Sequence, residues 1–185
     1  MPLTRRLVLG TALLALAACT SSDPGDRAAK RAEIDAGADA ALSELFAEDA
    51  AARTLADQAK GIAIFPDIVK GGFGLGAETG EGVLRVGGES VGYYNTSSAS
   101  IGLQIGGQSY SQVLMFLTDE ALAGFRDGAG WEAGVDGSVA VLKTGASGEI
   151  NTTNIADPVV GFNFGEEGLM AGATIEGSKY TRLDL

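Results

Sequence analysis

Hydrophobic residues recur along this chain with two different periods, and the change between them falls near residue 60. From Arg27 to Phe46, Ile34, Ala38, Leu42 and Phe46 stand four apart, and Ala41 and Leu45 fill the same stripe. That spacing predicts an amphipathic helix. A second short helix is expected over about Ala50 to Ala59, with Asp49 placed to cap it. From Lys60 onward apolar residues alternate, as on a half-buried strand. Ile101, Leu103 and Ile105 give the cleanest alternation, against Gly102, Gln104, Gly106 and Gln108. Val113 to Leu117 is apolar on both faces and reads as a central strand. Thr118-Asp119-Glu120 then opens a short helix carrying Leu122 and Phe125 and ending near Gly128. Val135, Val139 and Val141 are expected to share a face, as are Val160, Phe162 and Phe164, and then Leu169, Ala171, Ala173 and Ile175.

The stretch from Ala59 to Val86 has two faces that differ in kind. An apolar run, Ile62 to Phe65, is stopped by Pro66. Phe73, Leu75 and Ala77 then occupy one side of a strand, and Gly72, Gly74 and Gly76 the other. Glycine packs nothing inside a strand, so a row of it marks a place where another backbone or a ligand comes close. Gly102 and Gly106 extend the bare strip. Either the amphipathic helix or an acyl chain is expected to lie there.

Eight to ten strands without a βαβ rhythm imply a mostly antiparallel sheet. A sheet of that size curls or closes to hide its edges. The expected fold is therefore α+β: a partly closed, barrel-like antiparallel sheet, with the N-terminal amphipathic helix packed on it and one short internal helix.

Composition adds an address. Residues 1–18 have the form of a signal peptide, with Arg5 and Arg6 before an apolar run from Leu7 to Ala18. That run is too short for a transmembrane helix, which needs about 20 residues. It ends Leu16-Ala17-Ala18-Cys19, a lipoprotein-type cleavage site, and Cys19 is the single cysteine of the chain. Lipidation of Cys19 is expected, with residues 19–26 as a tether and 27–185 as the folded domain. Multiple acyl chains would anchor the protein stably where one would not. Thr20 after the cysteine points to the outer membrane, facing the periplasm. Thr4-Arg5-Arg6-Leu7-Val8-Leu9 also has the look of a twin-arginine export signal, so either export route is open.

The whole chain carries a formal charge of −11. Without the leader, eleven basic residues stand against twenty-four acidic ones. Such a chain does not bind nucleic acid, which needs a dense basic face. Contact with an anionic membrane needs a local patch, and Arg27, Lys30 and Arg31 supply one just beyond the expected anchor. Lys60 and Lys70, on either side of the first strand's opening, complete the candidate contacts.

Catalytic motifs dissolve on inspection. Gly88-Glu89-Ser90-Val91-Gly92 fits the nucleophile-elbow pattern, but the chain has no histidine to take the serine proton, and Gly87-Gly88 looks like a hairpin. Lys143-Thr144-Gly145 lacks its companion S-x-x-K. Gly71-Gly72-Phe73-Gly74-Leu75-Gly76 lacks the G-K-[ST] of a phosphate cradle. No histidine and one cysteine leave no zinc or copper site, and no D-x-D-x-D loop suggests calcium. The sequence points to no cofactor, no metal and no enzyme.

Six blocks taken together are similar to the SYLF domain, found in yeast and animal adaptor proteins that also carry an SH3 domain and in many bacterial lipoproteins. They are Ala59 to Pro66, Val69 to Gly74, Gly80 to Leu84, Gly102 to Gly106, Gly134 to Val139 and Gly168 to Gly172. Gly92-Tyr93-Tyr94-Asn95-Thr96, Gly130-Trp131-Glu132 and Gly177-Ser178-Lys179-Tyr180 resemble the bacterial lipoprotein branch. The resemblance implies phospholipid binding, partly through an N-terminal amphipathic helix; yeast members also bind and bundle actin. Two readings follow: a non-catalytic lipid-binding lipoprotein of the bacterial envelope, or a structural lipoprotein whose ligand is a protein partner or its own copy.

Overall fold

The computed structural model describes residues 23–128, 130–143, 157–168 and 177–185. Two helices come first. α1 spans Pro24–Glu48 and α2 spans Ala50–Ala56. α1 opens three residues before the hydrophobic stripe predicts. Asp23 accepts a hydrogen bond from the Gly25 amide at 3.0 Å, and Pro24 supplies the first helical position with its φ already set. Asp49 caps α2 as expected, accepting from the amides of Ala51 and Ala52.

Two very long strands follow, β1 (Gly61–Val86) and β2 (Glu89–Phe116), joined by Gly87 and Gly88 at φ +60° and +86°. Positive φ at both central residues is the two-residue hairpin geometry that matches strand twist, and glycine adopts it without steric cost. Pro66 does not end a strand. It sits at a register shift between Phe65 and Ile68, where a missing amide hydrogen is tolerated. The remaining elements are α3 (Asp119–Asp127), β3 (Trp131–Glu132), β4 (Val139–Lys143), β5 (Val159–Gly168) and β6 (Lys179–Leu183). Among the described residues β1 and β2 each run as one long paired strand, and four shorter strands extend the sheet.

The sheet runs β3-β6-β2-β5-β4, with β1 on the other side of β2. β5 pairs with residues 108–116 of β2, and β6 with residues 93–97. Every pairing is antiparallel except β4 with β5, which is parallel. Val135, expected on a strand with Val139 and Val141, lies in the turn after β3 and is 72% exposed. The expected strand from Leu169 to Ile175 lies outside the described residues.

β1 folds back over itself. A Cβ on Gly61 would lie 3.3 Å from the Arg85 carbonyl oxygen; one on Gly80 would lie 2.7 Å from the Asp67 carbonyl. Gly82 meets the Ile64 carbonyl and the Phe65 ring. Lys70 pairs with Glu78. These partners close in on residues 73–74, the middle of the glycine strip. Opposite them in β2, Gly106 and Gly107 face Gly72 and Gly71 across the ladder. A ribbon whose side chains vanish at its midpoint can bend sharply there, and the result is a curled half-barrel.

One core fills the half-barrel. Phe125 of α3 stacks against Phe116, Tyr94, Trp131 and Tyr180 with ring centroids 4.7–5.7 Å apart. A second core lies outside the sheet, where Ile34, Ala38, Ala41 and Leu45 of α1 meet Ile64, Val83, Val113, Met115, Val160, Phe162 and Phe164. The predicted stripe of α1 is therefore buried, with Leu42 and Phe46 half-covered at its margin. Gly37 brings the helix against Pro66, where a Cβ would lie 3.0 Å from the proline ring.

Candidate functional site

Alternation along β2 points Gln108, Tyr110 and Gln112 into the half-barrel, next to the apolar Leu114 and Phe116. The interior is thus apolar at one end and polar at the other. At the polar end the Lys70 ammonium lies 3.7 Å from the Glu78 carboxylate, both side chains about nine-tenths buried. Tyr110 donates its hydroxyl to Glu78 at 3.2 Å, and Ser98 donates to the other carboxylate oxygen. Tyr180 donates to Gln112 Oε1 at 2.6 Å, and Gln112 Nε2 donates to Asn163 at 3.0 Å. Gln108, 3% exposed, has no hydrogen bond through either amide atom among the described residues.

Burial and the neighbouring Glu78 charge raise the Tyr110 pKa far above a free phenol's, and burial does the same for Tyr180. Both phenols therefore stay protonated as donors. A group held in its donor form binds and positions; it does not act as a base near neutrality. Among the described residues no cluster of carboxylates, cysteines or histidines could hold a metal.

The residues expected to meet a membrane are placed differently from one another. Lys30 bonds Glu81 at 2.7 Å and Glu33 at 3.3 Å, and the bond to Glu81 raises its pKa. Arg31 donates to an oxygen of Leu185 at 3.3 Å. Arg27 is half-buried and also engaged. The basic cluster is thus spent within the fold. Lys70 is buried with Glu78, on the inner face of β1. Lys60 alone of the five has an exposed position, just before β1, where its amide donates to the Phe116 carbonyl.

The glycine strip has its place at the fold-back. Gly72 stands opposite Gly106 and Gly76 opposite Ser100, while Gly74 falls in a register shift between Phe73 and Leu75. The side chains of residues 73–75 and 100–105, Gly74 and Gly102 among them, lie outside the described set. Where α1 is seen to pack, it packs on Ile64, Pro66 and Val83. At Gly71 a Cβ would meet only the Gly106 carbonyl, 3.9 Å away, and beside it Val69 is 53% exposed. Cys19 lies outside the described residues.

Two features escaped the sequence. Close approach of backbone happens at Gly80 and Gly82, a Gly-x-Gly pair that alternation alone could have flagged. The other is a polar clasp on α1. Arg85 Nη1 bonds Asp39 at 2.6 Å and Nη2 bonds the Asp35 carbonyl at 3.2 Å. Ser90 and Tyr93 each donate to the Asp35 carboxylate, at 2.7 and 2.8 Å. Such pairings join residues about fifty positions apart, and no local pattern announces them.

A curled, mostly antiparallel half-barrel clasped by a long N-terminal helix defines an α+β domain. Residues 97–184 match the Ysc84 family, described as Las17-binding protein actin regulator, and the chain carries a domain of this SYLF class. The chain is also similar to Beta cell expansion factor A of Aeromonas veronii, 36% identical over 152 residues. That similarity covers 81% of this chain and 56% of the relative, so the chain spans little more than half of that protein's length. Among the described residues no helix is long and apolar enough to cross a membrane.

Proposed function

We propose that this protein is a non-catalytic, lipid-binding lipoprotein of the bacterial envelope, held through Cys19 in the outer membrane and facing the periplasm. The observation that carries the lipid contact is the fold-back of the ribbon. There Val69 stands more than half exposed beside a run of glycines, and the register sets Phe73 opposite Ile105 and Leu75 opposite Ile101. An exposed Val69 beside glycines that add no bulk suits shallow insertion among acyl chains. The engaged state of Arg27, Lys30 and Arg31 argues against contact driven by their charge.

Flotation of the Cys19→Ala protein with phosphatidylcholine vesicles tests this reading. Binding should persist in high salt, and Val69→Asp should weaken it at least about fivefold, since burying one such side chain is worth about 1–2 kcal/mol. Replacing Arg27, Lys30 and Arg31 together by Ala should change it little. If the triple replacement abolishes flotation and Val69→Asp does not, the contact is electrostatic and the fold-back is not the site. Failure to float on any vesicle, with stable self-association, supports the alternative of a structural lipoprotein that binds a protein. The Cys19→Ala change should also lower the share of the protein that sediments with the membrane fraction of cells, because the covalent anchor is lost and only the weaker contact remains.

A further inference from the structure

α1 meets β1 at Pro66, and a groove of about 420 Å³ runs along the flank of the helix there. That volume falls in the range of sites that hold a small ligand or a few residues of a peptide, roughly 300–1,000 Å³. The floor is small and apolar: Gly37, Ala41, Ile34 and Pro66. The rim is acidic, formed by Glu33 and Glu44 from the helix and Asp67 and Glu81 from β1. Lys30 is the only cation in the lining, and its ammonium is already bonded to Glu33 and Glu81. Glu44 and Asp67 have no ion pair among the described residues, and Glu44 is held over Gly165 at the far edge.

We propose that this groove docks a cationic segment of a partner protein, one that lays a small apolar residue on the Gly37–Ala41 floor and sets Lys or Arg against Glu44 and Asp67. The choice of occupant follows from charge. Four carboxylates around one neutralised lysine repel an anionic headgroup, and a second copy of a chain with net charge −11 is repelled likewise. The width admits a chain because the helix presents Gly37, Ala40 and Ala41 there. This inference does not rest on the lipid reading, which uses Val69 and the bend of β1 and not the flank of α1.

The probe is a fluorescein-labelled peptide, Lys-Leu-Ala-Arg-Leu-Lys, with a Glu-Leu-Ala-Glu-Leu-Glu peptide as its control. Fluorescence anisotropy is read on the Cys19→Ala protein. The cationic peptide should bind and the acidic one should not, and binding should weaken as salt shortens the screening length from about 30 Å to 8 Å. The pair Glu44→Gln and Asp67→Asn should reduce affinity roughly tenfold. Ala40→Trp, an exposed helix position where the fold tolerates bulk, fills the groove without altering charge and should abolish binding. Asp57→Asn, an exposed acid outside the groove, should leave it unchanged. Binding that survives Ala40→Trp is diffuse attraction to an acidic protein and overturns the proposal. So does absence of binding at low salt, or an equal loss with Asp57→Asn.

Discussion

Gly82→Ala adds one methyl group at the tightest of the glycine contacts among the described residues. The new carbon would press on the Ile64 carbonyl oxygen and lie 2.5 Å from Phe65 Cδ1 and 2.8 Å from Cε1. A carbonyl inside a paired strand cannot rotate aside, and Phe65 is fully buried. Relief therefore requires the two halves of β1 to separate by most of an ångström along the closure of the half-barrel. Overpacking of a well-packed interior costs about 1–3 kcal/mol, and a clash with backbone belongs at or above the top of that range. We expect about 3 kcal/mol. For a domain of this size that lowers Tm by roughly 6–12 °C, measured by circular dichroism or calorimetry. Gly124→Ala is the matched control, because nothing lies within 4 Å of its Cβ and it sits inside α3. It should raise stability by up to about 1 kcal/mol through helix propensity alone. If Gly82→Ala proves too unstable alone, it can be read in the Gly124→Ala background. A Gly82→Ala melting temperature equal to the parent's would refute the fold-back of β1, since only that closure places the two strand halves in contact.

Other consequences are open to direct measurement. Phe125→Ala should cost about 3–5 kcal/mol in denaturant unfolding, because its ring holds four other aromatics together. Arg85→Ala should cost about 1–3 kcal/mol and increase hydrogen exchange along α1, since it removes the clasp on Asp35 and Asp39; unchanged exchange in α1 would count against a clasp. All four tyrosines have pKa values raised in the fold, each chiefly by burial. A raised pKa means that the folded state holds its protons longer than the unfolded one. Stability from these groups is thus complete below the unfolded value near pH 10 and falls as pH rises through the folded values. Absorbance of phenolate at 295 nm should therefore fall short of four tyrosinates above pH 10, with the share from Tyr110 and Tyr180 rising only together with loss of the circular dichroism signal. A smooth titration centred on pH 10 in the folded protein would contradict the buried placement of Tyr110 and Tyr180.

The placement of the cations bears on how a helix of this kind can serve a membrane. An exposed lysine or arginine near an anionic surface contributes about 1 kcal/mol. Here Lys30 and Arg31 would first have to leave Glu81, Glu33 and Leu185, and the burial of Ile34, Ala38, Ala41 and Leu45 holds the helix where those partners are. Desolvating an existing ion pair to make another gains little. A lipid contact on this face of α1 therefore competes with Glu81, Glu33 and Leu185 for the same cations.

Period and punctuation were enough to place all three helices, the Asp49 and Thr118 caps, the Gly87-Gly88 hairpin and the buried faces at Val113 to Phe116 and Val160 to Phe164. Those features depend on residues within one or two turns of each other, so the local chain specifies them. Tertiary structure alone decided the rest. Whether Gly72, Gly74 and Gly76 receive a helix or form a bend depends on where the far end of the same strand goes, and that is fixed by Gly80, Gly82 and Glu78 arriving against residues 64–70. Whether Lys70 is a surface cation or a buried one turns on the same fold-back, and whether Lys30 and Arg31 are free turns on the distant Glu81 and Leu185. Charge reads directly from sequence, but its availability is set by partners that only a closed fold brings within hydrogen-bond reach.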